Sequence, residues 1–243
     1  MAKPALACRL FGIDISCGEH DRNDPLICIN SEICDGTSLR PGQVIARISG
    51  KAHSILRSER TALNFLQRTC GIATETRKYV DQVAGFNVRI IDTRKTTPGL
   101  RMLEKYAVSV GGGYNHRINL GDGVLIKDNH IQLLKRQGMT LTTIIKAAKA
   151  RISHTIRIEV EVENLHQVRE AIEAGAEILL LDNMSIDEMS ESVDLSKGKA
   201  ITEASGGINI NTVRAIASTG VDLISVGALT HSSKALDISL DID

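Results

Sequence analysis

The chain has 243 residues, and its 29 basic side chains balance its 29 acidic ones, so the formal net charge is zero with histidine neutral. That balance supplies no global field for nucleic acid or an anionic membrane, and any affinity for anions must be local. Aromatic residues are 2% of the chain and tryptophan is absent, too few for base-stacking platforms, and no apolar run approaches the roughly 18 residues of a membrane span.

The N-terminus, MAKPALACRLFGID, lacks the continuous apolar core of a secretory leader, so a cytoplasmic location is expected. Cys8, Cys17, Cys28, Cys34 and Cys70 all fall in the first third. None has C-x-x-C spacing, so they read as reduced thiols rather than zinc ligands. Turn clusters at Asp21 to Pro25, Asp35 to Ser38 and Pro41-Gly42 separate short apolar runs at Leu26 to Ile29 and Val44 to Ile48, which predict strands of a small sheet. The next segment has apolar residues at helical spacing and an interruption at Gly71. It predicts two helices, 54–69 and 73–84, ended by Gly85.

From Val88 the rhythm changes to strand-like apolar runs at 88–91, 124–126, 156–162, 177–181, 200–204 and 222–226, with helical patterns such as 164–174 and 209–218 between the later ones. The last four runs begin about 22 residues apart, the length of a βα unit, which implies a parallel sheet. No dinucleotide fingerprint is present, so a closed α/β barrel fits as well as an open sheet. The tail from Ala235, ALDISLDID, alternates apolar and polar residues and is expected to pair back onto the N-terminal sheet.

Polar or glycine residues stand at the end of each of these six runs: Asp92, Thr93, Arg94 and Lys95; Lys127 and Asp128; Glu161; Asp182 and Asn183; Ser205-Gly206-Gly207; and Gly227-Ala228. Loops at the carboxyl ends of barrel strands converge on one rim, where barrel active sites lie. Arg117 follows the glycine run Gly111 to Gly113, where backbone can approach a ligand, and its guanidinium suits a planar carboxylate. Lys127 follows Val124-Leu125-Ile126, so its stem is expected to be buried with the ammonium at the rim. Glu161 and Asp182, on successive strands, suit Mg²⁺ or ribose hydroxyls. The two glycine loops suit phosphate, which favours late βα turns and helix N-termini. His116 stands beside Arg117. His231 reads equally as a structural hydrogen-bonder.

The motifs ERTALNFLQRTCGIAT, DTRKTTPGLR, GGGYNHRINLGDGVLIKDNH, EVEVENL, LDNM, EASGGI and VGALTHS resemble those of the quinolinate phosphoribosyltransferases, across residues 55 to 243. The resemblance implies a small N-terminal α/β sandwich domain (1–71), an incomplete, seven-stranded α/β barrel (72–231) and a returning tail (232–243). It implies a homodimer or a higher assembly of dimers, whose subunits complete each other's sites. It also implies transfer of a phosphoribosyl group from phosphoribosyl pyrophosphate to quinolinate with decarboxylation, in the synthesis of NAD. Arg60 would reach into the partner's site. Thr93, Arg94, Lys95, His116, Arg117 and Lys127 would line the quinolinate pocket, Lys95 and Lys127 also facing pyrophosphate. Glu161 and Asp182 would hold the ribose hydroxyls directly or through Mg²⁺. Ser205, Gly206, Gly207, Val226, Gly227, Ala228 and His231 would surround the 5′-phosphate. Alternatives are a relative using another pyridine carboxylate, a barrel lyase with Lys127 as Schiff-base former, and a non-catalytic nucleotide binder.

Overall fold

The structure, a computed structural model, describes residues 27–31 and 33–242. The turn cluster at Asp21 to Pro25, Leu26, Cys8 and Cys17 lie outside the described residues. Two short strands, β1 (Cys28–Asn30) and β2 (Arg47–Ser49), pair antiparallel with Ile29 opposite Ile48. They form the small sheet expected from the two apolar runs.

A single helix, α1 (Ala52–Gln82), replaces the two predicted there. Its buried stripe, Thr69, Ile72, Ala73, Thr76 and Tyr79, keeps helical spacing straight through Gly71. The glycine is present for another reason. A Cβ built at Gly71 would stand 2.0 Å from the Lys234 carbonyl oxygen, so its lack of a side chain lets the C-terminal segment lie against the helix. That segment is not a strand among the described residues. Leu236 N–H donates to Gln67 O at 3.0 Å, Gln67 Nε2 donates to Ile238 O at 2.8 Å, and Leu236 and Ile238 pack around Cys70 and Ala73. The tail thus runs along α1 and not onto the β1–β2 sheet.

The second sheet is parallel throughout, in the order β3-β8-β7-β6-β5-β4. Its strands are β3 (Arg89–Ile91), β4 (Val124–Ile126), β5 (Ile158–Val162), β6 (Ile178–Asp182), β7 (Ile201–Ser205) and β8 (Leu223–Ser225). The first and last of these in chain order are neighbours, so the sheet winds round on itself. On the far side of β3, Tyr114 supplies a seventh strand position: its N–H donates to Ile90 O at 2.8 Å and its carbonyl accepts from Asp92 N–H at 3.1 Å. No ladder joins Tyr114 to β4 among the described residues, and the barrel is open there. The helices α2 (Arg101–Val110), α3 (Asp128–Lys135), α4 (Leu141–Lys149), α5 (Leu165–Glu173), α6 (Ile186–Ser196) and α7 (Val213–Ser218) occupy the connections, and α8 (Ala228–His231) follows β8.

Strand alternation divides two environments. Ile158, Val160, Val162, Leu179, Leu181, Ala204 and Ile224 join the apolar core with Ile144, Ile145, Val168, Met189, Val213 and Ile216 of the helices. Glu159, Ile178, Ile201, Glu203 and Leu223 line the lumen instead. The triple glycine serves packing as well. A Cβ at Gly111 would stand 2.5 Å from Ala73 O, and one at Gly113 would stand 2.8 Å from the Thr76 and Val108 side chains. The run lets the end of α2 close onto α1.

Gly71→Ala tests the tail contact. Alanine in a helix interior ordinarily stabilises by about 1 kcal/mol over glycine. Here the added methyl meets a backbone carbonyl, so urea unfolding should show a loss of about 1–3 kcal/mol, as for an overpacked core. A stabilised variant would show that the tail leaves α1 freely.

Candidate active site

A buried ion pair organises the carboxyl end of β3. Asp92 is fully buried and Lys105 of α2 almost so. Lys105 Nζ lies 2.5 Å from Asp92 Oδ1 and donates to His116 O at 2.9 Å, while His116 N–H donates to Asp92 Oδ1 at 2.8 Å. Burial raises the Asp92 pKa against the opposing pull of Lys105 and the His116 N–H. Both backbone groups of His116 are therefore held, and Arg117 next to it is aimed by them. Arg117 Nη1 donates to Gly123 O at 2.7 Å. Arg94 is fixed from the other side, where Arg101 donates to Thr96 Oγ1, Ile118 O and Arg94 O at 3.0, 3.0 and 3.3 Å.

Arg94 and Arg117 are brought close together. Burial and then the charge of Arg94 push the Arg117 pKa down. The Nε atoms of both guanidiniums are buried without a hydrogen-bond partner. Two neighbouring cations with unmatched donors have the chemistry to hold an anion, because each stabilises a carboxylate more than it stabilises the other. Thr93 Oγ1 accepts the Lys95 N–H at 3.1 Å, bending the loop between them.

The two glycine loops meet the same rim. Lys95 Cδ and His231 Nε2 stand 3.3 and 3.2 Å from where a Gly227 Cβ would be, so Lys95, Gly227 and His231 form one cluster. Val226 is buried and gives its N–H to Ile91 O at 3.0 Å. It therefore places Gly227 and Ala228 at the start of α8, where first-turn N–H groups lack helical acceptors. At the other loop, Asn183 has φ 54°, and a Cβ on Gly206 would stand 2.2 Å from Asn183 Oδ1. Only glycine fits beside that side chain, and Ser205-Gly206-Gly207 turns next to Asp182.

Glu161 and Asp182 are half-buried neighbours. Burial, then the charges of Asp182 and Asp128, raise the Glu161 pKa against the pull of Lys127. Lys127 itself is exposed, where a buried stem was expected; it follows β4, the edge strand beside the open seam. Arg60 lies on the exposed side of α1, 3.8 Å from Glu59. The structure does not bring it to this chain's own rim.

Other residues were not apparent from spacing. Arg68 of α1 donates to Glu104 Oε1 at 3.3 and 2.9 Å, to Ser233 O at 2.9 Å and to Thr230 O. Buried Glu104 also accepts from Thr97 N–H and Oγ1 at 3.0 and 2.7 Å, and Thr230 Oγ1 donates to Lys95 O at 2.7 Å. One carboxylate thus ties α1, the Arg94–Lys95 loop and the segment after Gly227. Glu159 and Glu203, in the lumen, converge on His116: its Nε2 lies 3.2 Å from Glu159 Oε2 and 3.8 Å from Glu203 Oε2. A charged residue inside a strand was the signal for both, but it could not say that they meet. A cavity of about 760 Å³ runs from these side chains to the amino-terminal mouth, past Arg89, Val124, Ile178 and Leu223. Arg94, Lys95, Glu161, Asp182 and Gly227 do not line it; they stand at the opposite, carboxyl ends of the strands.

Models of two domains match the chain: the quinolinate phosphoribosyl transferase N-terminal domain over residues 25–70 and the C-terminal domain over residues 72–241. The chain belongs to the quinolinate phosphoribosyl transferase family. A Bacillus subtilis protein described as a probable nicotinate-nucleotide pyrophosphorylase (carboxylating) is 50% identical over 86% of this chain and 71% of its own length. A Nicotiana tabacum quinolinate phosphoribosyltransferase (decarboxylating) is 41% identical over 90% of this chain and 66% of its own. Among solved structures, the nicotinate-nucleotide pyrophosphorylase of Ehrlichia chaffeensis superposes with a TM-score of 0.84 at 43% identity, covering 89% of this chain and 77% of that one. NadC from Streptococcus pyogenes gives 0.85 at 38% identity, covering 97% and 81%. The incomplete barrel with its small antiparallel sheet is the fold of this family.

The lumen cluster gives the family member a measurable pH dependence. Burial, then the nearby Glu159, raises the Glu203 pKa from 4.5 to about 8. A carboxyl raised on folding contributes stability that is complete below pH 4.5 and is lost as pH climbs toward about 8. Glu203→Gln removes that contribution's slope. Urea unfolding from mildly acidic to mildly alkaline pH should therefore show the variant gaining on the wild type as pH rises. A constant difference between the two would refute a proton held on Glu203.

Proposed function

We propose that the chain transfers the phosphoribosyl group of phosphoribosyl pyrophosphate to quinolinate, releasing pyrophosphate and CO₂ and forming nicotinate mononucleotide for NAD synthesis. Membership of the family and the names of its relatives support the activity. The observation that carries the site assignment is the Arg94–Arg117 pair, two adjacent guanidiniums with buried, unmatched Nε donors. A pyridine dicarboxylate supplies two planar anions, which such a pair fits better than a single phosphate.

In this reading Thr93, Arg94, Lys95, His116 and Arg117 hold quinolinate with its ring nitrogen toward C1 of the sugar. Gly206, Gly207, Gly227, Ala228 and His231 receive the 5′-phosphate, with Ser205 and Val226 shaping their loops, while Glu161 and Asp182 take the ribose hydroxyls. The nitrogen bonds to C1 as the bond to pyrophosphate breaks. The bond from C2 to its carboxylate then breaks, leaving its electrons on C2 for a proton. This chemistry needs positioning and charge stabilisation more than a protein nucleophile. Lys95 and Lys127 face the departing pyrophosphate.

The convergence of Glu161, Asp182 and Asp128 leaves negative charge that suits a hard divalent ion. These acids do not form a three-ligand cluster among the described residues, so Mg²⁺ would be held jointly with oxygens of the co-substrate, where it neutralises the leaving group. The exposure of Lys127 removes the ground for a Schiff-base lyase, which needs a desolvated amine.

The direct test mixes protein, quinolinate, phosphoribosyl pyrophosphate and Mg²⁺ and assays nicotinate mononucleotide; none forming would overturn the assignment. Arg117→Ala should weaken quinolinate by about 1.5–3 kcal/mol, the worth of a charge-assisted contact. Binding of phosphoribosyl pyrophosphate should change little, and Arg117→Lys should rescue poorly. Equal losses for both ligands in titrations would refute the role of Arg117.

The exposed Arg60 fits a homodimer in which it completes the neighbour's pocket. Inactive Arg60→Ala chains mixed with inactive Lys127→Ala chains should then recover about a quarter of wild-type activity, since on the order of half the dimers are mixed and each has one intact site. No recovery after proven subunit exchange would place Arg60 outside the partner's site.

A further inference from the structure

Behind the Arg94–Arg117 pair, the lumen buries two acids without matching cations. Glu159 and Glu203 are 5% and 2% exposed, and the Oε1 atom of each has no hydrogen-bond partner. They reach in from β5 and β7, on either side of β6, and their Oε2 atoms lie 3.2 and 3.8 Å from His116 Nε2. Two carboxyls buried side by side cannot both carry a charge cheaply, so an arrangement of this kind marks a site that uses them.

The other face of the ring shows the use. His116 Nδ1 accepts the backbone N–H of Arg117 at 2.7 Å. A ring that accepts at Nδ1 carries its proton on Nε2, where Glu159 takes it. His116 is then fixed at four points: its N–H on Asp92, its carbonyl on Lys105, Nδ1 on Arg117 and Nε2 on Glu159. If the ring turned over, the Arg117 N–H would lose its acceptor.

We propose that Glu159 and Glu203 are positioning residues for the anion pocket: they pin the His116 ring through Nε2–H, and through Nδ1 the ring sets the backbone and hence the guanidinium direction of Arg117. The inference rests on the reading of the Arg94–Arg117 pair as the dicarboxylate pocket. Glu203, hydrogen-bonded to Glu159, brings its own Oε2 to 3.8 Å from the same ring nitrogen. The donor atoms of His116, Glu159 and Glu203 lie within 4.8 Å of one another, as in a metal site. A metal on Nε2, however, would displace the proton that Glu159 holds and require one on Nδ1, where the Arg117 N–H already points.

The test compares Glu159→Gln, which keeps an acceptor for Nε2–H, with Glu159→Met, which fills similar space without one. In ligand-free protein, nitrogen NMR of the His116 ring, assigned by its loss in His116→Gln, should keep the Nε2–H pattern in the Gln variant and lose it in the Met variant. In turnover, Glu159→Met should raise the KM for quinolinate about tenfold, the scale of one lost hydrogen bond to a charged group, with the KM for phosphoribosyl pyrophosphate unmoved. Glu159→Gln should recover most of that loss. Glu203→Gln should shift the ring resonances in the same direction as Glu159→Met, by a smaller amount, and this arm decides the matter if the Met variant does not fold. The proposal is overturned by an unchanged ring pattern in Glu159→Met and Glu203→Gln, by equal rises in both KM values, or by a stoichiometric metal ion lost on Glu203→Gln. Since the spectra need no ligand, a wild type that fails to turn over would defeat the assigned reaction while leaving the pinning of His116 to be judged by its resonances.

Discussion

The arrangement of the site depends on the buried pair of Asp92 and Lys105. Asp92 ends the first barrel strand, Lys105 comes from α2, and together they hold both backbone groups of His116. Three segments separated in sequence are thereby locked in register at the point where Arg94 and Arg117 meet. A buried ion pair is weak support for stability in itself, since desolvation offsets much of its attraction. Its value here is directional. An Asp with two donors and a Lys with two acceptors leave few other ways to arrange the loops they join.

Around that pair the protein keeps its charges local. A chain with no net charge nevertheless concentrates cations at Arg94, Lys95 and Arg117 and acids at Glu161, Asp182 and Asp128. The two sets lie on opposite parts of the rim, carried by β3 and the segment after Tyr114 on one side and by β4, β5 and β6 on the other. The cations would be poorly held without support from behind. Arg101 fixes the Arg94 backbone, Gly123 takes one Arg117 nitrogen, and the lumen acids steady His116 between them.

The long helix α1 joins the small sheet to the barrel and takes part in the site through Arg68. Because Arg68 grips Glu104 and the carbonyls of Thr230 and Ser233, the loop carrying Lys95 and the loop at Gly227 are tied to the helix. Gly71, Gly111 and Gly113 serve the same purpose by removing side chains where the tail and α2 press on α1. The segment that looked like a break in a helix is a contact surface.

Much of this was legible in the chain itself. The six barrel strands match their apolar runs to within two residues at either end, because a run buried on its outer face and bounded by polar turns has few other readings. The placing of Arg94, Glu161, Asp182 and Gly227 at strand ends followed from the same runs. Sequence could not show the role of Gly71, since a helix-breaking glycine and a close-contact glycine are the same letter and only the Lys234 carbonyl distinguishes them. It could not show that Lys127 is exposed, or that β4 before it is an edge strand, which is a matter of sheet order and not of local pattern. Nor could it find the Glu159–Glu203–His116 cluster, whose members are 43 and 44 residues apart in the chain. Hydrophobic period and turn chemistry act over a few residues, and so the sequence determined the strands, their ends and the kinds of charge they present. Which of those charges meet was decided only by closure of the sheet, which sets residues distant in the chain within a few ångströms in the lumen.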